Sequence, residues 1–130
     1  MDGSAKHLII RRLFCSQCSH IHHELPETIV PYKRYSSEVI ESVISAREKI
    51  PSYPCEESTA RRIRIWFSLL RSYLESVIES LKLIYKQELA LLAFLDRMRL
   101  SQLHDQSNGW LKALVRIVVN SGYWIQTRSE

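Results

Sequence analysis

A stripe of apolar residues along the middle of the chain constrains its fold more than any other feature. The stripe recurs at spacings of four and three, the period of one face of an α-helix. Its members are Ile63, Phe67, Leu70, Leu74, Val77, Leu81 and Ile84, and Leu91, Leu95 and Met98 keep the register after Glu88 interrupts it. The pattern predicts a long helix or a helical hairpin between Ser58 and Leu100. The Ile63–Met98 stripe then packs either into the core of its own chain or against a second copy in a homodimer.

A shorter helix is predicted before this stripe. It begins at Ser36 or Ser37, since serine is a favoured N-cap, and Pro51 and Pro54 interrupt it. One face of this helix comprises Val39, Ile40, Val43, Ile44 and Ile50. The long helix then starts within Cys55–Ser58, where two glutamates suit the positive end of the helix dipole.

A last helix is predicted near the C-terminus, after the polar segment 101–109. Its N-cap is Ser107 or Asn108, and Gly122 is a natural stop because glycine adopts the left-handed backbone that ends many helices. Its apolar face comprises Leu111, Leu114, Val115, Val118 and Val119.

The N-terminal part is predicted to be extended. Strand-forming residues come first, the Cys15–Cys18 string suits a turn, and His20–Leu25 suits the returning strand. Pro26 and Pro31 end that strand and leave an extended linker, Glu27–Tyr35. The strand formers are Leu8, Ile9, Ile10, Leu13 and Phe14.

The same segment contains half of a zinc-ribbon motif. Cys15 and Cys18 are two residues apart, a spacing that lets a turn point both sulfurs at one tetrahedral ion. The third cysteine, Cys55, lies far along the chain, and the nearby nitrogen donors are His7, His20, His22 and His23. The alternative is a pair of free thiols in a reducing cytosol. A redox role is disfavoured because the motif does not open a helix in a βαβ unit.

The start of the long helix carries a basic outer face. On a helical wheel Arg61 lies opposite Ile63, flanked by Ser58, Arg62 and Arg64, while Trp66 and Phe67 fall on the core side. Helix, break and basic helix is the order of a helix-turn-helix, although Lys49–Glu56 is a long, proline-rich connection. We expect Ser58, Arg61, Arg62 and Arg64 to face a DNA groove, with Lys33, Arg34, Arg11 and Arg12 as phosphate contacts. The alternative is a solvated face whose arginines pair with Glu56 and Glu57.

Composition excludes several other classes. The chain has 130 residues and three glycines, and it contains no phosphate-binding glycine loop. Its longest charge-free stretches, Leu13–His23 and Ile117–Thr127, are too short to span a bilayer, and no apolar signal segment follows the N-terminus, so a cytoplasmic location is expected. Only three aspartates occur, and an acidic-triad nuclease or a nucleophilic enzyme is not expected. The net charge of +4 permits an acidic partner.

The run RRLFCSQCSHIHHELPETIVPYKRYSSEVIESVI resembles the shared core of the bacterial domain-of-unknown-function family 6431. The strings PCEESTARRIRIWF and GWLKALVRIVVNSGYWIQTRS fit the same family, so the resemblance covers about residues 10 to 128. It implies a zinc ribbon followed by a transposase-like helix-turn-helix, and therefore DNA binding linked to mobile elements. Fold likeness of this kind does not by itself fix function.

The chain departs from the family pattern in its first residues. Longer members carry an earlier cysteine pair that completes the ribbon. No such pair precedes Cys15 here, so the resemblance implies only Cys15 and Cys18 as zinc ligands. Ser19 stands where the family has glycine, at a position that favours a left-handed backbone. The chain is expected to be a truncated member, a decayed copy, or one that takes ligands from a histidine or a second chain.

Together these observations predict a mainly α protein with a short N-terminal β-hairpin, a helix-turn-helix and a long helix or helical hairpin. The expected parts are a partial zinc-ribbon-like hairpin (7–26), a linker (27–35), a helix-turn-helix-like unit (36–72) and a helical C-terminal part packed on it (73–130). The predicted function is non-catalytic DNA binding of the transposase-like type, without membrane association. The alternative is a helical interaction or dimerisation module with no nucleic-acid role.

Overall fold

The computed structural model describes residues 4–46, 53–85, 96 and 109–125. These residues form a mainly α structure, which confirms the predicted fold class. Two short strands, β1 (Arg12–Cys15) and β2 (His20–His23), come first. Three helices follow within the described segments: α1 (Ser37–Ser45), α2 (Glu57–Ile84) and α3 (Trp110–Asn120). No helix in these segments is long and apolar enough to cross a membrane.

The two strands form an antiparallel hairpin in which Cys15 pairs with His20 and Leu13 pairs with His22. Because side chains alternate along a strand and partners share a face, these four residues lie on one side of the ribbon. The connecting turn closes with a hydrogen bond of 2.8 Å from the N–H of Ser19 to the carbonyl of Cys15. Ser19 has a φ of 56°, so the left-handed backbone expected at this position is confirmed.

The strands are shorter than the sequence predicted. Leu8, Ile9 and Ile10 lie outside β1, and Ile9 is 95% exposed. Predicting strand there was wrong, because no described segment lies beside these residues to continue the sheet. The return strand likewise ends at His23 rather than at Leu25.

The segment between hairpin and α1 folds back on the helices instead of running fully extended. Ile29 bridges Ser36, and the N–H of Ser37 donates to the carbonyl of Thr28 at 2.9 Å. This places Val30 in the core with no exposed surface. Ser36 is the N-cap of α1, as predicted, and its hydroxyl accepts from the N–H of Val39.

Helix α2 buries most of the predicted stripe inside its own chain. Ile63, Leu70, Leu74, Val77 and Leu81 are buried, together with Ala60 and Ile78. Phe67 is partly buried, with its ring centroid 5.8 Å from that of Trp110 on α3. Ile84, the last residue of α2, is in contrast 59% exposed and does not belong to the core of this chain.

Asp96 lies beside the C-terminal part of α2. The Lys82 ammonium lies 2.9 Å from the carboxylate of Asp96. In one continuous helix the rise of 1.5 Å per residue would separate these positions by about 21 Å. Of the two predicted alternatives, this ion pair excludes one straight helix through Leu100. The other stripe positions, Leu91, Leu95 and Met98, lie outside the described residues, as does Ile50.

Helix α3 is capped by a residue distant in sequence. Its N-cap position is Gly109, and the carboxylate of Glu41 on α1 accepts hydrogen bonds from the N–H groups of Gly109 (2.7 Å) and Leu111 (2.9 Å). The predicted cap at Asn108 was therefore one residue early, and Ser107 and Asn108 lie outside the described residues. At the other end, Gly122 has a φ of 79°, which confirms it as the helix stop.

The core lies where α1 packs against both α2 and α3. Its largest fully buried side chains are Ile40, Leu74, Leu111, Leu114, Val30, Val43 and Val118. The hydroxyl of Tyr73 on α2 also donates to the carbonyl of Tyr123, which ties the end of α3 to α2.

Candidate metal centre and basic surface

The hairpin brings three metal-ligating side chains together. One sulfur from Cys15, one from Cys18 and a ring nitrogen of His22 all lie within 4.8 Å of one another. Nε2 of His22 is 3.1 Å from the sulfur of Cys18. Cys15 is the last residue of β1, Cys18 lies in the turn, and the strand register places His22 on the same face as Cys15. Two soft sulfurs and one imidazole form a donor set that zinc prefers.

The other predicted nitrogen donors lie outside this cluster. His20 shares its face, but Nδ1 of His20 is 2.5 Å from the backbone carbonyl of Cys18. His23 pairs with Arg12 and therefore points to the opposite face of the ribbon. His7 lies before β1 and is exposed. Strand alternation distinguishes His22 from His23 once the hairpin register is known, but the sequence alone did not fix that register.

The thiols of this cluster are free and suited to metal binding. The N–H of Cys18 donates to the sulfur of Cys15, with further hydrogen bonds from the Cys18 thiol and the Gln17 N–H, and these lower the pKa of the Cys15 thiol. A thiolate is the form that binds a metal. Cys55 differs, because burial and then the negative charge of Glu57 raise the pKa of its thiol. Cys55 also lies outside the ligand cluster.

The start of α2 presents an exposed cationic surface. Arg61 and Arg62 are exposed, as is Ser58 one turn earlier. Neither guanidinium has an acidic partner among the described residues. Ile63, between them and the protein interior, is only 8% exposed and anchors this turn in the core. Both arginines therefore extend from a helix that is fixed from behind.

Arg64, in contrast, is held by its own chain. Its guanidinium donates to the carboxylate of Glu57 (3.1 Å) and to the hydroxyl of Tyr53 (2.9 Å). The Tyr53 hydroxyl in turn donates to Glu57 at 2.7 Å. Hydrogen bonding to Tyr53 and to Glu57 raises the pKa of Arg64 above its usual range. This Arg64 clamp, formed by Tyr53, Glu57 and Arg64, braces the first turns of α2 and leaves Arg64 less available to a ligand.

The turn before α1 contributes two cations, of which Lys33 contacts α2. The ammonium of Lys33 lies 4.3 Å from the centre of the Trp66 ring, a cation–π contact. Trp66 follows Arg62 by one helical turn, so Lys33 and Arg62 lie on the same side of α2. Burial lowers the pKa of Lys33. Arg34 is exposed and has no acidic partner among the described residues.

The two remaining predicted phosphate contacts lie on the hairpin. Arg11 forms an ion pair of 2.5 Å with Glu24, which lowers the pKa of that carboxyl. Arg12 is exposed and shares the ribbon face opposite the cysteines with Phe14 and Ile21. The structure thus places Arg61 and Arg62 on α2, Lys33 against α2, Arg34 in the turn before α1, and Arg11 and Arg12 on the hairpin.

Sequence reasoning missed a second charged cluster between the N-terminal segment and α3. Glu27 forms ion pairs with both Lys112 and Arg116, beside a cavity of about 550 Å³. Lys112 and Arg116 lie four residues apart on one helix face, which is the only sequence signal that marks them as a pair. Both cations share the single carboxylate of Glu27, so this cluster ties the N-terminal segment to α3.

Comparison with known proteins gives one match. Residues 1–63 match the model of a family described as a domain of unknown function (DUF6431). This confirms the family resemblance over the segment that contains the hairpin, α1 and the first turns of α2. No curated protein and no solved structure matches the chain.

Proposed function

We propose that this chain, a DUF6431 match over residues 1–63, is a DNA-binding protein that uses the start of α2 as its binding surface. The observation that carries the proposal is the state of Arg61 and Arg62. Both are exposed and lack an acidic partner among the described residues, while the next residue is buried in the core. Because their own chain does not engage them, these guanidinium groups are available to a phosphate backbone or a guanine edge.

Neighbouring cations extend the same surface. Lys33 is fixed over Trp66, and Arg34 follows it in the turn, so both serve as phosphate contacts next to Arg62. The Arg64 clamp is assigned a positioning role, because its guanidinium is already satisfied by Tyr53 and Glu57. The connection between α1 and α2 covers residues 46–56, which is longer than the tight turn of a standard helix-turn-helix. We assign no catalytic step to these residues.

Fluorescence anisotropy with a labelled mixed-sequence 20-base-pair duplex tests the proposal. The wild-type chain is expected to bind with an affinity that falls steeply as salt rises. The Arg61→Ala/Arg62→Ala variant should bind at least tenfold more weakly, and Lys33→Ala/Arg34→Ala should lower the salt slope by about 0.9 per lost contact. Far-UV circular dichroism of each variant checks that the helices remain.

A matched control removes the same charge elsewhere. Lys112→Ala/Arg116→Ala also deletes two cations, but these two are paired with Glu27 on α3. We expect this control to keep an affinity within about threefold of the wild type, since it removes only long-range attraction. If both double variants lose the same amount of DNA affinity, the binding surface does not lie on α2. If Arg61→Ala/Arg62→Ala binds DNA as tightly as the wild type, the proposal is wrong.

We also propose that the Cys15–Cys18–His22 cluster holds a zinc ion. The observation that favours it is the approach of all three ligand atoms to within 4.8 Å on one face of a two-stranded ribbon. Isolated two-stranded hairpins are marginally stable in water, and a structural metal supplies the missing cross-link. Bound there, zinc would join the turn to β2, with a fourth position left for water or a further donor.

Cobalt substitution tests the zinc proposal. Co²⁺ added to reduced protein without a histidine tag should give the visible absorption of a thiolate-ligated tetrahedral site, and one equivalent of Zn²⁺ should displace it. Cys18→Ser and His22→Ala should each weaken binding by more than about 100-fold, because losing a ligand costs more than losing a residue that only orients one. His23→Ala is the matched control, since His23 is adjacent in sequence but on the other face. An equal effect of His22→Ala and His23→Ala would refute this ligand set.

A further inference from the structure

Tyr32 occupies a backbone conformation that an L-residue adopts only at a cost. Its φ is 64°, in the left-handed region. It lies in the turn Val30–Lys33, which closes with a hydrogen bond of 3.1 Å from the N–H of Lys33 to the carbonyl of Val30. Pro31 at the second position is typical of such a turn, whereas glycine or asparagine is usual at the third, where Tyr32 stands.

Within the described part of the chain, the side chain that creates this strain has no structural partner. Tyr32 is 59% exposed, and its hydroxyl and ring contact no hydrogen-bonding or aromatic partner among the described residues. Two other tyrosines have hydrogen-bonded hydroxyls: Tyr53 belongs to the Arg64 clamp, and Tyr73 donates to a backbone carbonyl. Strained backbone that persists without an internal role is a marker of functional sites.

The location of Tyr32 indicates what it contacts. Lys33 and Arg34 follow it directly, and Lys33 is fixed on Trp66 beside Arg62. The buried Val30 anchors the turn from the other side. A rigid turn therefore presents an exposed phenol at the edge of the cationic surface on α2. A neutral ring with one hydroxyl donor suits the sugar–phosphate backbone, where tyrosine is among the usual side-chain donors.

We propose that Tyr32 is a DNA-contact residue, with its ring packed on a deoxyribose and its hydroxyl donating to a phosphate oxygen. The proposal rests on the proposed function and names a residue and a mode of contact that the cationic surface alone does not require. It explains why a turn suited to glycine carries a large aromatic side chain. Preorganisation in the turn reduces the conformational entropy lost on binding.

Substitution of Tyr32 separates binding from folding in one experiment. Tyr32→Gly relieves the backbone strain and removes the ring, so we expect the melting temperature to rise by about 2 to 4 °C. The same variant should bind the labelled duplex about tenfold more weakly. Tyr32→Phe, which loses only the hydroxyl, should bind about fivefold more weakly. Because tyrosine carries no charge, both variants should keep the wild-type salt slope.

Ser19→Gly is the matched control, because Ser19 is the other described non-glycine residue with a positive φ. It should also raise the melting temperature, while leaving DNA affinity unchanged. Wild-type affinity in Tyr32→Gly would overturn the proposal, and so would a lower melting temperature, which would show that the side chain serves the fold. Either of these two results would concern Tyr32 alone, and the proposed function would stand if the wild type binds DNA in a salt-dependent way. A wild type that does not bind removes both.

Discussion

The carboxylate of Glu41 on α1 accepts a hydrogen bond of 2.9 Å from the backbone N–H of Leu111 in the first turn of α3. Its second oxygen accepts from the N–H of Gly109 at 2.7 Å. Glu41 is only 8% exposed, so one buried side chain satisfies two of the donors that every helix leaves unpaired at its start. A negative charge at this point also complements the dipole of α3.

Replacing Glu41 should therefore destabilise the fold markedly. We expect Glu41→Ala to lower the free energy of unfolding by about 2 to 3 kcal/mol, because it leaves one buried and one partly buried N–H group without an acceptor. Glu41→Gln keeps one acceptor oxygen and should cost less. Urea unfolding followed by circular dichroism measures both. Glu38→Ala, an exposed position on the same helix, should cost under about 1 kcal/mol, and similar losses at positions 38 and 41 would contradict the capping role.

The Arg64 clamp gives a prediction that distinguishes bracing from binding. Arg64→Ala removes contacts to Tyr53 and Glu57 at a site that is 39% exposed, so solvent screening limits the stability loss to about 1 kcal/mol. DNA affinity and its salt slope should change little, in contrast to Arg61→Ala/Arg62→Ala. Tyr53→Phe should reproduce a smaller part of the stability loss. A fall of about 0.9 in the salt slope of Arg64→Ala would show instead that this guanidinium reaches a phosphate.

The ion pairs of Glu27 predict a stability difference that depends on pH. The ammonium of Lys112, through its hydrogen bond and its charge, and then Arg116, lower the pKa of the Glu27 carboxyl. Because the folded-state pKa is below that of the unfolded chain, these pairs stabilise the fold above the unfolded value of about 4.3 and lose their effect as pH falls through the folded value. Wild type should exceed Glu27→Gln in stability at pH 7, and this difference should be smaller at pH 3.

Urea midpoints of the two proteins at both pH values measure this effect. The difference at pH 7 should also narrow in 0.5 M salt, since the groups are solvent-exposed and screening weakens such pairs. A difference that persists unchanged at pH 3 would mean that Glu27 acts through packing rather than charge.

The end of α3 provides a test of backbone conformation alone. Gly122 has a φ of 79°, and a Cβ built on it would meet no atom within 4 Å. Gly122→Ala should therefore lower the free energy of unfolding by about 1 kcal/mol through the left-handed backbone and not through a clash. Gly122→Asn should cost less, because asparagine tolerates this region. Unfolding curves measure whether stability falls in the order wild type, Gly122→Asn, Gly122→Ala. An alanine variant as stable as the wild type would contradict this prediction.

Local signals in the sequence were sufficient for the helices and the turn glycine. The stripe through Ile63, Leu70 and Leu74 located α2 because burial on one side of a helix leaves a regular period. Ser36 and Gly122 marked helix ends because capping chemistry is local. Glu41 as the cap of α3 was not predictable in this way, since its partner residues are about seventy positions away and only the packed fold brings them together.

The candidate sites were predictable only as residue types. The sequence indicated Cys15, Cys18 and four histidines, and the strand register then selected His22. It also grouped Arg64 with Arg61 and Arg62, because a helical wheel does not show that Arg64 forms hydrogen bonds with Tyr53 and Glu57. The DNA-contact assignments themselves stay predictions until binding is measured.

The dependence of α1 on α3 has a consequence for synthesis of the chain. Ile40 and Val43 of α1 pack in a core that also needs Leu111, Leu114 and Val118, which a ribosome adds much later. The family-matched segment 1–63 thus leaves the exit tunnel before its own first helix can be fully covered. Folding should be a late event that follows emergence of α3, and nascent chains that stop before α3 should be readily degraded.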